Sequence, residues 1–297
     1  MFWQTTRYQI DLTAPKVMGI VNVTPDSFSD GGQHASTRAA LEHCETLVRD
    51  GADILDIGGE SSRPGALPLP LDEELKRVLP VVAGAVKLGV PVSVDTYKPQ
   101  VMQAVLDLGA DIINDIYALQ WRGETASEPA QTSMTAAMQV VSGHPNCGVC
   151  LMHMHRDPLS MQVQPMEGDV VSKVLLFWEL STLSLIGLQV EKTRIVLDPG
   201  IGFGKTVAQN FELLARQNEL LKAGFPLLVG WSRKSSLTLA TSTSLATIAT
   251  MDPRDRLVPS VAAALLAVER GARIVRVHDV RETVQALKVL AAVQVPV

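Results

Sequence analysis

The chain has 297 residues, of which 46% are hydrophobic and 19% charged, and its 26 Lys and Arg against 31 Asp and Glu give a net charge of −5 at pH 7. This composition excludes an intrinsically disordered chain, because a chain of this length can bury about 75% of the surface that its unfolded form exposes. It also argues against a basic nucleic-acid-binding protein, since phosphate backbones are held by clustered excess cations.

Short Val- and Ile-rich runs without polar alternation recur along the chain, which is typical of strands buried on both faces of a parallel sheet. The runs span residues 17–23, 54–57, 92–94, 112–113, 149–152, 195–197, 227–229 and 274–277. Segments with helical spacing lie between most of them, at 37–50, 72–87, 98–108, 133–142, 210–223, 254–269 and 281–292.

This alternation predicts an α/β protein with a single (β/α)8 TIM-barrel domain over residues 1–297. A doubly wound open sheet is the alternative. No Gly-x-Gly-x-x-Gly follows the first strand, which argues against the dinucleotide-binding form of that alternative.

Every predicted strand ends in a polar or charged side chain, at the barrel face where βα loops carry the chemistry. These side chains are Asn22, Asp56, Asp95, Asn114, Asp115, His153, Asp198, Ser232, Arg233, Lys234, Arg276 and His278. One Asp after a strand is more often a helix N-cap, but their convergence predicts a large polar pocket. The carboxylates and amides suit a flat heterocycle with N–H donors. The cations suit a phosphate or carboxylate group of a ligand, and they are Lys234, Arg276 and His278 together with Arg63 of the second loop.

Two loops and two motif-like segments complete this interpretation. The first two βα loops, at 22–32 and 58–70, are long, and loops of this kind can act as lids. The segment 200–206 resembles a phosphate-binding P-loop but is one residue too short. Cys147 and Cys150 form a Cys-x-x-Cys, but Cys150 lies in a predicted buried strand, which favours a packed thiol over a metal ligand.

The N-terminus and the cysteines indicate a cytoplasmic enzyme. Residues 1–4 lack the basic segment and apolar run of a signal peptide. No run reaches the roughly 18 uninterrupted apolar residues of a membrane span, and the nearest, at 175–188, contains Glu179 and three hydroxyl side chains. Three cysteines, an odd number, do not form a disulfide framework. We expect neither a membrane nor a nucleic acid as partner.

Two segments, at 18–32 and 56–66, closely resemble the two N-terminal signatures of the dihydropteroate synthase family. Later family blocks match in order at 93–96, 113–115, 151–154, 197–205, 230–235 and 276–280. The resemblance extends over about residues 17–290. Ser62 stands where the family usually has Thr, and the stretch 118–146 matches poorly.

The resemblance implies a pterin-binding TIM barrel that condenses 6-hydroxymethyl-7,8-dihydropterin diphosphate with p-aminobenzoate in folate biosynthesis. It further implies Mg2+ as cofactor, a homodimer and a target of sulfonamides. Carried over by position, the pterin set is Asp95, Asn114, Asp198 and Lys234. The diphosphate set is Asn22, Ser62, Arg63, Arg276 and His278, with Asn22 also near Mg2+. The p-aminobenzoate set is Ser62, Pro64, Phe203, Lys205 and Ser235, and the catalytic set is Asp95, Lys234, Arg276 and His278.

Two alternative functions share this pocket. One is a pterin-binding methyltransferase domain on the same barrel, and the other is a non-catalytic pterin-binding barrel. The first loop and the 232–235 block favour the synthase. We also expect Arg63, Arg276, His278 and Asn22 to have no compensating partner until diphosphate binds.

Overall fold

Eight parallel strands form the centre of the fold in the computed structural model, which describes residues 1–23, 32–63, 65–123, 134–161, 163–241 and 252–294. An antiparallel pair precedes them at the N-terminus. The pair is β1 (Phe2–Gln4) and β2 (Gln9–Asp11), and the parallel strands are β3 (Lys16–Asn22), β4 (Ile54–Gly58), β5 (Val92–Asp95), β6 (Ile112–Asp115), β7 (Gly148–Met152), β8 (Ile195–Asp198), β9 (Leu228–Val229) and β10 (Ile274–Val277).

The parallel strands close into a barrel. Their order in the sheet is β8, β7, β6, β5, β4, β3, β10 and β9. A parallel bridge between Leu197 and Leu227 joins the two outer strands, β8 and β9. The predicted (β/α)8 barrel is therefore confirmed, and the open-sheet alternative is wrong.

Helices follow the strands and cover the outside of the barrel. They are α1 (Gly32–Arg49), α2 (Leu71–Ala85), α3 (Pro99–Asp107), α4 (Ala136–Gly143), α5 (Val170–Gly187), α6 (Val207–Ala215), α7 (Gln217–Leu220), α8 (Ser235–Thr241), α9 (Leu257–Glu269) and α10 (Val280–Gln294). The helix predicted at 210–223 begins earlier, because Thr206 and Gln209 form a capping box, and it is broken at Arg216.

The antiparallel pair, which the sequence analysis did not predict, closes the amino-terminal end of the barrel. Trp3 and Leu12 are fully buried and pack with Met18, Ile54 and other interior side chains in one apolar cluster. The Trp3 indole Nε1 donates a hydrogen bond to the carbonyl of Arg194, 2.9 Å away. Because this end is sealed by apolar side chains, a ligand pocket can open only at the opposite end.

Helix α5 is long and apolar enough to cross a membrane, by length and composition alone. Its residues Val170, Val174, Trp178 and Leu185 are buried in the barrel core. The helix therefore occupies the position of an ordinary barrel helix, between β7 and β8 in the chain.

Candidate active site

The carboxyl ends of neighbouring strands bring polar side chains side by side. Gly58 at the end of β4 is the register partner of Asp95 at the end of β5, and Asp95 is the register partner of Asn114 on β6. Met152 on β7 is the partner of Asp198 on β8. Asp95, Asn114 and Asp198 of the predicted pterin set therefore lie at the same face of the barrel.

A guanidinium bridges two carboxylates across the barrel interior. Arg276 Nε donates to Asp56 Oδ2 at 2.6 Å, and Arg276 Nη2 donates to Asp95 Oδ2 at 2.8 Å. Asn114 Nδ2 donates to the same Asp56 oxygen at 3.2 Å. The expectation that Arg276 has no compensating partner before diphosphate binds is therefore wrong.

Burial shifts the pKa values of the carboxylates and of the lysine in this interior. Burial raises the pKa of Asp95 to about 7, although the Arg276 guanidinium acts in the opposite direction. Burial also raises the pKa of Asp198. Burial and the nearby Arg276 charge lower the pKa of Lys234 to about 8. The Lys234 ammonium lies 4.2 Å from the centre of the Phe203 ring, a cation–π distance.

The loop after β8 is held by its own backbone and by one lysine. Asp198 Oδ1 accepts a 2.7 Å hydrogen bond from the Gly200 amide. Gly200 has φ +66° and a Cβ there would lie 2.0 Å from the His153 carbonyl oxygen, so only glycine fits. Lys205 Nζ donates to the carbonyls of His153, Gly200 and Phe203 at 3.2, 2.9 and 3.1 Å.

The contacts of Lys205 in the structure are with the loop itself. Its side chain is buried, and the three carbonyls use all three donors of the ammonium. Lys205 therefore braces the loop, and burial lowers its pKa to about 7. Its contact with p-aminobenzoate stays a prediction.

The block that contains Lys234 is joined to the end of β10. The Ser232 hydroxyl lies 3.0 Å from His278 Nδ1 and accepts a 3.1 Å bond from the His278 amide. Arg233, at φ +58°, pairs with Asp279 at 2.6 Å. Burial, together with the charge of Arg233, lowers the pKa of His278 to about 3. His278 is therefore a neutral imidazole at pH 7, which corrects its predicted role as a cation.

A buried ion network fixes the start of the second βα loop. Lys98 Nζ bonds to Glu60 Oε2 of the loop and, at 2.5 Å, to Glu74 Oε2 of α2. The Tyr97 hydroxyl donates to Glu60 Oε1 at 2.8 Å. Thr96 donates to Glu74 Oε1 at 2.7 Å. The loop is therefore tied to the strand end that carries the pterin-set carboxylate.

The remaining predicted residues lie around the same face. Asn22, half-buried, ends β3, and Ser62, half-buried, lies in the second loop. Arg63 is exposed, and within the described part of the chain its guanidinium forms no hydrogen bond. Ser235, exposed, is the first residue of α8. Pro64 lies outside the described residues, as does the part of the predicted first loop at 24–31.

Two polar residues predicted at the pocket face away from it. The Asp115 carboxylate is fully buried and accepts the amides of Tyr117 and Leu119 at 2.7 and 2.8 Å, so it stabilises the turn after β6. The His153 ring packs edge-on against Phe177 of α5, with centroids 5.0 Å apart. Successive strand residues point to opposite faces, and for this reason not every polar residue at a strand end can belong to the pocket.

A cavity of about 650 Å3 adjoins these residues, with Asp95 and Ser62 on its wall. Tyr97 forms its aromatic side by contacting the rings of Tyr117 and Trp121, each with centroids 5.1 Å apart. The place of these aromatic residues in the site could not be predicted from the sequence, because they belong to no motif and lie at three separate positions of the chain.

The donors present do not form a resident metal site. Among the residues that the structure describes, no group of three or more His, Cys, Asp or Glu side chains could hold a metal ion. Asn22 supplies a single amide oxygen at the rim. Mg2+ in enzymes commonly binds through one or two protein ligands together with substrate phosphates and waters. This donor set fits a Mg2+ that arrives with a diphosphate.

Comparisons with known proteins agree with the site. The family model described as "Pterin binding enzyme" matches residues 18–278. The dihydropteroate synthase of Neisseria meningitidis serogroup B is 44% identical over 295 residues, which cover 98% of this chain and 96% of the relative. The Escherichia coli K12 dihydropteroate synthase is 44% identical over 284 residues, covering 95% of this chain and 93% of the relative.

A solved structure has the same fold. Xanthomonas albilineans dihydropteroate synthase with 4-aminobenzoic acid superposes with a TM-score of 0.85 at 43% identity and covers 100% of both chains. These likenesses extend over nearly the full length of the chain. The chain belongs to the family of pterin-binding enzymes, and within that family to the dihydropteroate synthases.

Proposed function

We propose that this protein is a transferase that joins a dihydropterin to p-aminobenzoate in folate biosynthesis. The amino nitrogen of p-aminobenzoate attacks the exocyclic methylene carbon of 6-hydroxymethyl-7,8-dihydropterin diphosphate. A C–N bond forms, the C–O bond breaks, and the diphosphate leaves with the bonding electron pair. The amine loses one proton, and the product is 7,8-dihydropteroate.

The observation that carries this proposal is the polar group formed by Asp95, Asn114 and Asp198 inside a barrel whose other end is sealed. Carboxylates and an amide at the carboxyl ends of β5, β6 and β8 suit the N–H edge of a pterin. As the C–O bond breaks, positive charge develops on the pterin, and buried carboxylates stabilise that charge more strongly than water does. Lys234, in the loop after β9, completes the pterin set next to the strand that carries Asp198.

The diphosphate binds above this layer. Arg276 keeps N–H groups that neither Asp56 nor Asp95 uses, and Arg63 extends into solvent from the second loop. The neutral His278 and the Ser62 hydroxyl supply uncharged hydrogen bonds. Asn22 would help to hold a Mg2+ that arrives with the diphosphate, and the ion would supply charge neutralisation for the leaving group.

The p-aminobenzoate ring packs against Phe203 and a wall that includes Ser62, and its carboxylate lies near Ser235. Pro64, which the family resemblance assigns to the same set, lies outside the described residues. An aromatic amine is neutral at pH 7, so its attack requires no strong general base. Lys205 acts from behind this wall as a brace. Sulfonamides compete for the same wall, since the Yersinia pestis dihydropteroate synthase is known in a complex with a sulfonamide drug.

We further propose that the protein works in the cytoplasm as a homodimer. The family resemblance is the basis of this proposal. Size-exclusion chromatography with light scattering at micromolar concentration tests it: a particle of twice the 32.0 kDa chain mass supports a dimer, and a 32.0 kDa particle contradicts it.

The function is tested by diphosphate release from the dihydropterin diphosphate in the presence of Mg2+. We expect release that depends on p-aminobenzoate and falls strongly in Asp95→Asn. The matched control is Asp107→Asn, an exposed carboxylate at the end of α3. Pterin binding without p-aminobenzoate-dependent release would contradict the synthase and favour a methyltransferase or a binding barrel.

A further inference from the structure

Asp56 lies one layer below the residues of the proposed pterin site. It is the third residue of β4, and its register partners are Ile20 on β3 and Ser93 on β5. The side chain is fully buried. A buried carboxylate is costly unless it is paired and hydrogen-bonded, so a charge at this depth requires a reason beyond packing.

One oxygen of Asp56 serves two residues of the site. Oδ2 accepts Arg276 Nε at 2.6 Å and Asn114 Nδ2 at 3.2 Å. Oδ1 is buried and has no hydrogen-bond partner among the described residues. Arg276 has five N–H donors. The bonds to Asp56 and Asp95 use two of them, so three N–H donors remain.

The bond from Asn114 also fixes which side of its amide faces a ligand. Because Nδ2 points to Asp56, the carbonyl oxygen Oδ1 is left to accept a hydrogen bond. An acceptor at this position matches an N–H group of a heterocycle. Asp56 therefore sets the polarity of Asn114 without reaching the ligand itself.

We propose that Asp56 is a positioning residue that makes Asp95 available to the pterin. This inference rests on the proposed function. Asp56 keeps Arg276 charge-compensated through Nε. When the pterin N–H groups bond to Asp95, the bond between Arg276 and Asp95 breaks. The bond from Arg276 Nε to Asp56 remains and keeps the guanidinium in place. The other N–H groups of Arg276 are then free to bind the diphosphate.

Asp56 can have this effect because it shares the Arg276 guanidinium with Asp95. With Asp56 uncharged, Asp95 is the remaining carboxylate bonded to Arg276, and a bidentate pair between them becomes the favoured arrangement. The pterin would then have to break that pair and leave a buried guanidinium without a counterion, which is strongly unfavourable.

The test is a double-mutant cycle with Asp56→Asn and Arg276→Lys. Asn at position 56 preserves the shape and one hydrogen-bond acceptor, removes the charge and replaces the second oxygen by an NH2 donor. Lys cannot bridge two acceptors as a guanidinium does. The control is Ser93→Ala, because Ser93 is the register partner of Asp56 and its buried hydroxyl has no hydrogen-bond partner among the described residues. Asp56→Ser is a second neutral variant, smaller than Asn, in case Asp56→Asn does not fold.

We expect Asp56→Asn to raise KM for the dihydropterin diphosphate about tenfold or more. KM for p-aminobenzoate at saturating dihydropterin diphosphate should stay within about twofold, and Ser93→Ala should resemble the wild type. Added to Arg276→Lys, Asp56→Asn should have little further effect, since contacting residues are not additive.

An unchanged KM for the dihydropterin diphosphate in a folded neutral variant, a lower kcat with unchanged KM, or additive effects in the cycle would overturn the proposal. Calorimetric titration of the dihydropterin diphosphate separates this proposal from the function on which it rests. If the wild type binds this ligand but transfers nothing, the synthase is contradicted and a tenfold loss of affinity in Asp56→Asn still supports the role of Asp56. If the wild type does not bind it, both are overturned.

Discussion

Asp95 and Asn114 are the residues on which pterin binding depends most directly. Their side chains are register partners, and neither fills the apolar interior of the barrel. Removing a hydrogen-bond partner from a buried ligand costs about 1–3 kcal/mol. We therefore expect Asp95→Asn and Asn114→Ala each to weaken pterin affinity roughly 5- to 150-fold while the fold is kept. Calorimetry measures the affinity, and thermal unfolding confirms the fold. Unchanged affinity in either folded variant would remove that residue from the site.

The raised pKa of Asp95 predicts a pH dependence of pterin binding. The ionised carboxylate is the acceptor for the pterin N–H groups. With a pKa of about 7, most of Asp95 is protonated at pH 6 and most is ionised at pH 8. Pterin affinity should therefore rise about tenfold between pH 6 and pH 8. In Asp95→Asn this rise should disappear, and a pH-independent affinity in the wild type would contradict the assignment.

The raised pKa of Asp95 also makes the stability of the fold depend on pH, in the direction opposite to that for pterin binding. The folded pKa of Asp95 is above its ordinary value of 3.8, so the folded protein holds this proton more tightly than the unfolded chain. The stability that this group contributes is complete below pH 3.8 and is lost as the pH rises through about 7. Binding and stability thus respond to pH in opposite directions at one residue.

Most site residues could be predicted because they end strands or stand in recognisable motifs. Asp56 shows where that reasoning stops: the sequence predicts it as one more polar residue at a strand end, but only the structure shows that it contacts Arg276 and Asn114. Lys205 and His278 show the second reason. Residue type predicted His278 as a cation for an anionic ligand, and the family resemblance implied Lys205 beside p-aminobenzoate. Burial among cations makes His278 neutral, and the Lys205 ammonium donates to backbone carbonyls.

At the scale of elements, the second βα loop is held at its start by Lys98, which lies between the buried carboxylate of Glu74 and the partly buried carboxylate of Glu60. Replacing it by Met leaves Glu60 and Glu74 close together without a cation. Breaking a buried pair in this way costs about 3–5 kcal/mol. We expect Lys98→Met to lower the free energy of unfolding by about 3 kcal/mol and to raise KM for p-aminobenzoate more than it changes affinity for the pterin ring.

Urea unfolding and steady-state kinetics measure these two effects. Lys87→Met is the matched control, because Lys87 is exposed just after α2. If Lys98→Met leaves both stability and KM at the wild-type values, the network does not position the loop.

The strands and helices could be predicted from hydrophobic periodicity, since each buried run and each amphipathic segment leaves a local pattern. The antiparallel pair β1 and β2 left no such pattern: its three-residue strands have no clear alternation, and they are stabilised by the interior side chains that they cover. Helix α5 was not predicted as a barrel helix. Its sequence is apolar on most sides, so by length and composition alone it also fits a membrane span.

At the scale of the whole molecule, the proposed pterin site lies on the barrel strands, whereas Arg63 of the proposed diphosphate site lies in the second βα loop. The Arg63 side chain is exposed, and its guanidinium forms no hydrogen bond within the described residues, so we expect diphosphate to draw in the second loop and complete the wall for p-aminobenzoate. Affinity for p-aminobenzoate should rise by about 1–3 kcal/mol when diphosphate and Mg2+ are bound. Arg63→Ala should reduce this coupling.

Titration of p-aminobenzoate with and without diphosphate measures the coupling. Arg281→Ala, at an exposed arginine of α10, is the control and should leave it unchanged. If p-aminobenzoate binds the empty protein as tightly as the diphosphate complex, the loop does not couple the two sites.

The formation of the C–N bond is the most direct test of the proposed function. The purified protein is mixed with the dihydropterin diphosphate, Mg2+ and 15N-labelled p-aminobenzoate, and the products are analysed by mass spectrometry together with a diphosphate assay. The account predicts 7,8-dihydropteroate that contains the 15N label, formed in equal amount to the diphosphate released, and a strong loss of both in Asp95→Asn. Diphosphate released without labelled dihydropteroate, or neither product from a folded protein that binds the pterin, would contradict it.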